Sequence, residues 1–146
     1  MLIRKAEHPD LKGLLELYTQ LHDNDIPEQT KSLLNLWEEI LSDRHHHILL
    51  GIVEGQIIAT CVIVIIPNLT QKQRPYAFIE NVITHCDFRK KGYATQLLNT
   101  AKDIAVLNHC YKIMLMTGSK EENILNFYKK SGYNCNDKTA FIQWLD

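Results

Sequence analysis

Hydrophobic positions change period several times along the chain, and each change marks an element. Leu2 to Lys5 reads as a short opening strand. Leu11, Leu14, Leu15, Tyr18 and Leu21 recur at three- and four-residue spacing, which puts them on one helical face. His8-Pro9-Asp10 precedes them as a helix start, with Asp10 near the positive end of the dipole. Asp23-Asn24-Asp25-Ile26-Pro27 breaks this helix, and a second from about Glu28 to Ser42 carries Leu33, Leu36, Trp37, Ile40 and Leu41. His47 to Val53 and Gln56 to Ile66 are rich in branched apolar residues around Glu54-Gly55, which predicts a hairpin. Pro67 to Pro75 is polar and reads as a loop, and Tyr76 to Thr84 is a third β run. From Gly92 the helical period returns with Leu97, Leu98, Ala101, Ile104 and Ala105. Lys112 to Thr117 reads as an interior strand, and Glu121 to Lys130 as a short helix capped at Gly132. Thr139 to Leu145 reads as a closing strand.

The predicted order is β-α-α-β-β-β-α-β-α-β, a single α/β domain over residues 1–146 with a mixed sheet. Consecutive strands in the middle pair antiparallel, and the strand–helix–strand from Tyr76 to Thr117 makes one parallel crossover. Composition agrees with one folded domain, since 146 residues at 45% hydrophobic content can bury a core. Lys+Arg 16 against Asp+Glu 17 leaves a net charge of −1, which argues against a dedicated nucleic-acid binder. The longest apolar run, Ile57 to Ile66, falls well short of the ~20 residues a membrane span needs. Met1-Leu2-Ile3-Arg4-Lys5 has no apolar signal core, so the expected location is cytoplasmic, without membrane attachment. Cys61, Cys86, Cys110 and Cys135 form no CxxC pair and are expected as free thiols.

Chemistry concentrates between Glu80 and Thr95. A strand runs into Arg89-Lys90-Lys91, then Gly92, then a helix. Helix N-termini present unpaired amides and partial positive charge, so three cations there have the wrong sign for the helix itself. That placement points to a bound anion of the phosphate class. The same residues also suit an exposed basic turn without a ligand. Neither GxxxxGK[ST] nor GxGxxG is present, so a standard nucleotide loop is not indicated.

Arg89-Lys90-Lys91-Gly92-Tyr93-Ala94 resembles the Arg/Gln-x-x-Gly-x-Gly/Ala turn of the GCN5-related N-acetyltransferase (GNAT) family. Asn126-Phe127-Tyr128-Lys129-Lys130-Ser131-Gly132-Tyr133 is similar to the family's second signature, a short helix ending in aromatic-Tyr-x-x-x-Gly-aromatic. Ile79-Glu80-Asn81-Val82 and Cys110-Tyr111-Lys112-Ile113 resemble the glucosamine-6-phosphate N-acetyltransferase-like branch. The resemblance implies a GNAT-like fold and acetyl-CoA as donor. It implies a pyrophosphate on the amides of Arg89, Lys90, Lys91, Gly92, Tyr93, Ala94 and Thr95. It also implies a pantetheine arm along Val82, Ile83 and Thr84, where a backbone N–H polarises the acetyl carbonyl. Tyr128 takes the role of the acid that protonates the leaving thiolate.

Glu80 is the candidate base. It lies two residues before Val82, so regular alternation puts both on one face. A surface glutamate on an edge strand reads equally well. The implied reaction is direct acetyl transfer to a primary amine of a small molecule through a ternary complex, with no metal. The second reading is a non-catalytic acyl-CoA-binding regulatory module, which the Asn81 and Cys86 departures from the family pattern favour and the Glu80–Tyr128 pair disfavours. Cys86 lacks a neighbouring base and reads as a bystander thiol. His45-His46-His47 reads as a solvated strand entry rather than a metal site. Arg74 and Tyr76 could reach an acidic acceptor, but a solvated loop is the first reading. The final strand and second helix offer surfaces for a homodimer.

Overall fold

The longest apolar run of the chain occupies the middle of the sheet. The computed structural model describes residues 1–22 and 25–146. Its strands are β1 (Leu2–Lys5), β2 (His46–Val53), β3 (Gln56–Ile66), β4 (Tyr76–Thr84) and β5 (Ile113–Leu115), in the spatial order β1-β2-β3-β4-β5. The helices are α1 (Leu11–Tyr18), α2 (Lys31–Ser42), the single turn α3 (Thr70–Gln73), α4 (Tyr93–Leu107) and α5 (Glu122–Lys130). A central strand covered on both faces needs apolar residues at nearly every position. Accordingly Ile58, Ala59, Cys61 and Ile63 of β3 are fully buried. Thr60, the polar residue among them, donates its hydroxyl to the Leu49 carbonyl at 2.8 Å.

The β1–β2, β2–β3 and β3–β4 pairs are antiparallel. Between β4 and β5, Tyr111 N–H donates to Pro75 and Ala77 N–H to Lys112, each at 3.0 Å. Partner numbers rise together there, as they do between parallel strands, so the sheet is mixed. Glu54 (φ 49°) and Gly55 (φ 80°) close the β2–β3 hairpin with two left-handed residues, which matches the twist of the strands.

Helices cover both faces. Leu11, Leu14, Trp37, Ile48, Leu50 and Val62 pack together under α1 and α2. Leu97, Leu98, Ala101 and Ala105 of α4 are buried, and α4 packs on β2, β3 and β4. The Trp37 indole N–H donates to the His8 carbonyl at 3.2 Å, so the buried ring keeps its polar handle satisfied. Asp10 is more than a dipole partner. Arg4 grips its carboxylate with two bonds of 2.6 and 2.9 Å, and Glu7 N–H adds a third at 2.7 Å. These hydrogen bonds hold the Asp10 carboxyl below its usual range, against a burial that pushes it up.

The chain divides into two units, Met1–Met114 and Leu115–Asp146. In the second, α5 ends in a paired-bond cap. Tyr133 N–H reaches the Tyr128 carbonyl at 3.1 Å and Gly132 N–H the Lys129 carbonyl at 3.0 Å. Gly132 takes the left-handed φ of 93° that this cap requires.

The closing strand expected at Thr139–Leu145 does not form. Residues 138–146 hold no helix or strand, and Phe141 and Leu145 are more than 90% exposed. An apolar pattern becomes a strand only against an edge that completes its hydrogen bonds, and within its own unit α5 offers none. α2 begins at Lys31, later than the pattern suggests, because the Thr30 hydroxyl caps Leu33 N–H at 3.2 Å. Of the break expected at residues 23–27, positions 23 and 24 lie outside the described residues. The expected loop from Pro67 to Pro75 contains α3, with Gln71, Lys72 and Gln73 left-handed at φ 53°, 58° and 58°. Among the described residues no helix is long and apolar enough to cross a membrane.

Candidate active site

β4 is not a regular strand. Val62 of β3 pairs with Glu80, yet Thr60, two residues away, pairs with Ile83, three residues along. The extra residue is a β-bulge, and Asn81 carries it at a left-handed φ of 53°. Asparagine tolerates that conformation better than most side chains. The bulge changes which residues share a face. Val62 and Thr60 lie on one side of β3, so Glu80 and Ile83 lie on one side of β4, and the expected Glu80–Val82 pairing of faces is lost. Glu80 is exposed, Val82 and Thr84 are half-buried and Ile83 is buried.

Tyr18, which its spacing placed on the apolar face of the first helix, lies near this bulge. Burial pushes its phenol up to about 12, against hydrogen-bonding contributions from the side chains of Thr60 and Asn81 that pull it down. α1 therefore ends with a polar contact to the bulge. Asparagine in mid-strand was the available signal, because it is depleted from regular strands. Gln20, just past α1, reaches the same region and accepts Cys86 N–H at 2.9 Å.

Beyond Thr84 the chain makes a one-turn 3-10 segment at Cys86–Phe88 and then the basic turn. The His85 ring accepts Asp87 N–H at 3.3 Å and meets Phe88 edge-on at 5.7 Å between centroids. Arg89 is exposed, and its Nε donates to the Thr84 carbonyl at 3.1 Å, which closes the turn on the strand end. Lys91 lies 5.0 Å over the Phe88 ring. Lys90 is left-handed at φ 60° and Gly92 at φ 79°, where Gly92 is the N-cap of α4. A Cβ at Gly92 meets nothing within 4 Å. Glycine is needed there for its conformation before any question of space.

Among the described residues, Arg89 N–H has a long bond of 3.5 Å to Cys86, and the amides from Lys90 to Thr95 have no protein acceptor. They open the N-terminus of a fifteen-residue helix. One further polar atom lacks a partner: the Thr84 hydroxyl is buried without a hydrogen bond among the described residues. The three residues of β5 are too few to cover the nine of β4. Strand end, orphan hydroxyl and unpaired amides together fit an extended phosphate-bearing cofactor.

Elsewhere the chemistry is quieter. His85, Cys86 and Asp87 bring ligand atoms within 4.8 Å of one another, with Cys86 and Asp87 exposed. All four cysteines are free, and burial pushes the Cys61 thiol up to about 12. Arg74 donates to the His109 and Cys110 carbonyls at 3.2 and 3.1 Å, so it ties its loop to the turn between α4 and β5. His47 corrects the expectation of a solvated strand entry. The residue is 9% exposed because β2 enters the sheet there, paired with Ile63. Tyr128 lies in the second unit, half-buried on α5, with Phe127 at 4.9 Å and Tyr133 at 6.4 Å, both edge-on.

Residues 11–133 match the acetyltransferase (GNAT) family model. The chain belongs to the GNAT family. Members of this family transfer acetyl groups from acetyl-CoA to amines. A solved protein from Agrobacterium tumefaciens str. C58, provisionally named an acetyltransferase, is 35% identical with a TM-score of 0.90, covering 99% of this chain and 100% of that one. Glucosamine-6-phosphate N-acetyltransferase from Arabidopsis thaliana is 27% identical with a TM-score of 0.85, covering 99% and 98%. A glucosamine 6-phosphate N-acetyltransferase of Trypanosoma brucei brucei is 27% identical over 84 residues, 58% of this chain and 55% of that protein. The chain thus spans about half the length of this curated GNAT relative in the match.

Proposed function

We propose that this chain is an N-acetyltransferase that moves the acetyl group of acetyl-CoA directly to a primary amine of a small molecule, in a ternary complex. The observation that carries the reading is the run of unpaired amides from Lys90 to Thr95, directly after the bulged strand that ends in the orphan Thr84 hydroxyl. In this reading those amides and the Gly92 turn hold the pyrophosphate, with Arg89 fixing the turn to the strand. Val82, Ile83 and Thr84 align the pantetheine arm, and a β4 amide stabilises the oxygen of the tetrahedral intermediate.

Acetyl-CoA supplies an activated thioester. The amine nitrogen forms a bond to the carbonyl carbon, and the carbon–sulfur bond breaks. Glu80 accepts the proton that the amine gives up, directly or through water. The Tyr128 hydroxyl gives a proton to the leaving thiolate. Residues 1–146 act as one domain in this reading, which the family match across both units supports. Free cysteines support a reducing, cytoplasmic location. The relatives named above make amino-sugar phosphates the first acceptors to test.

The experiment has two stages, thermal stability with acetyl-CoA and then thiol release across a panel of amines. Stabilisation followed by amine-dependent thiol release and an acetylated product supports the enzyme. Stabilisation without release on any amine supports the binding module instead, and no stabilisation removes the cofactor assignment.

A further inference from the structure

Just past β4 the sheet ladder stops. His85 N–H donates to the Ile58 carbonyl at 2.8 Å, and the next amide, Cys86 N–H, lies beyond the β3–β4 pairing. The Gln20 side chain takes it instead, with Oε1 accepting at 2.9 Å across 66 residues of sequence. Cys86 is exposed, so water could satisfy the same amide. The rotamer freedom lost in fixing a glutamine is comparable with the net gain of one hydrogen bond. The contact therefore adds little to global stability, and its effect is to fix where the Cys86 backbone lies.

Both sides of this bond are held. Gln20 follows α1 in a tightened last turn, in which Gln20 N–H donates to the Leu17 carbonyl at 3.1 Å and Leu21 N–H to the Tyr18 carbonyl at 3.0 Å. Leu17 is buried, so this turn is seated on the core. On the other side, Cys86 opens the 3-10 segment that leads to the basic turn. Phe88 N–H returns to the His85 carbonyl at 2.9 Å, and the Arg89 Nε returns to the Thr84 carbonyl. Residues 84–89 thus close on themselves, and the Gln20 bond joins this closed turn to the end of α1. The amides of Lys90 to Thr95 follow directly, so a fixed Cys86 also fixes the point from which they start. Tyr18, two residues before Gln20, lies near the Asn81 bulge. The end of α1 therefore approaches β4 both before and after Val82 to Thr84 in sequence.

We propose, building on the acetyl-CoA reading above, that Gln20 is a positioning residue for the cofactor: by holding Cys86 N–H, its amide oxygen sets the turn whose amides receive the pyrophosphate. Gln20 acts through the backbone, away from the reacting atoms. The pyrophosphate stays in place while the acetyl group moves, so this support is the same in the ground state and the transition state. Its loss falls on acetyl-CoA affinity and spares the chemical step. The bond uses the oxygen end of the side chain. Gln20→Met keeps the length and loses the acceptor, and Gln20→Glu keeps an acceptor oxygen at the same reach.

The test measures acetyl-CoA binding by calorimetry and backbone amide exchange by NMR in the parent and both variants, with salt added to screen the charge of the glutamate. Gln20→Met is expected to raise the Kd for acetyl-CoA about two- to tenfold, the worth of one hydrogen bond. Exchange speeds up at Cys86, and the midpoint of denaturant unfolding stays nearly where it was. With an amine that releases thiol in the parent, KM for acetyl-CoA rises by the same factor and kcat is unchanged. Gln20→Glu restores most of the affinity. Equal affinity in the parent and Gln20→Met overturns the inference and leaves the cofactor site standing. So does a Gln20→Glu variant as weak as Gln20→Met, because the acceptor oxygen is then not what matters. A Gln20→Met variant that loses stability along with affinity, with fast exchange spread over α1 and the sheet, makes the bond a support of the fold and overturns it too. A parent that does not bind acetyl-CoA removes the inference together with the site beneath it.

Discussion

Gly92 caps α4 at a φ of 79° with open space beside its Cα, so the demand on this residue is conformational. A side chain in the left-handed region costs about 1–2 kcal/mol, least for asparagine. Gly92→Val is expected to destabilise the fold by about that amount and to weaken acetyl-CoA binding, with Gly92→Asn falling between it and the parent. Denaturant titration and calorimetry check both. If the valine variant binds like the parent, the turn does not hold the cofactor. Tyr128 and Glu80 test the chemistry. Tyr128→Phe keeps the ring that Phe127 and Tyr133 pack against and removes the hydroxyl. Turnover is expected to fall by about 10²–10⁴ with acetyl-CoA affinity nearly unchanged. Glu80→Gln is expected to lose most at low pH, where the amine is protonated, and to recover as pH rises. A pH-independent loss contradicts the role of base. The burial of His47 and the approach of Tyr18 to the bulge could not be read from their neighbours in sequence, because both depend on how distant strands pair.

At the scale of elements, the Arg4–Asp10 pair joins β1 to the start of α1. Its side chains are 33% and 10% exposed, so it is partly shielded from water. Hydrogen bonds to charged groups contribute about 1.5–3 kcal/mol. Asp10→Asn is expected to lower stability by about that amount at pH 7. The Asp10 carboxyl is depressed when folded, so its contribution is full above the ordinary carboxylate range and fades as pH falls through the lowered value. Acid unfolding curves of parent and variant should therefore converge at low pH; a constant gap contradicts the assignment. β3 and β4 were legible at Gln56–Ile66 and Tyr76–Thr84 because branched runs there stop at turn residues. Thr139–Leu145 misled because its apolar and aromatic residues have the composition of a strand, while a strand also needs an edge to bond. The Asn81 bulge escaped for a related reason: it appears only as a slip in register between β3 and β4.

For the whole molecule, ligand binding and stability are linked. A ligand that binds only the folded state at a hundred times its Kd adds about 2.7 kcal/mol. In a chain of 146 residues that corresponds to a rise in Tm of about 5–10 °C with acetyl-CoA. A rise of the same size with inorganic phosphate alone would mean that the pantetheine arm contributes nothing. The net charge of −1 makes the basic turn a local feature rather than part of a general positive field, so added salt is expected to weaken this binding through nearby charges only.

The central claim is that the amides after β4 hold the cofactor, and amide NMR during titration with acetyl-CoA tests it most directly. The account predicts that the largest downfield shifts fall on Lys90 to Thr95, with smaller ones at Val82 to Thr84 and none of comparable size at β1 or α2. A protein saturated with acetyl-CoA whose Lys90–Thr95 amides stay where they were would contradict it.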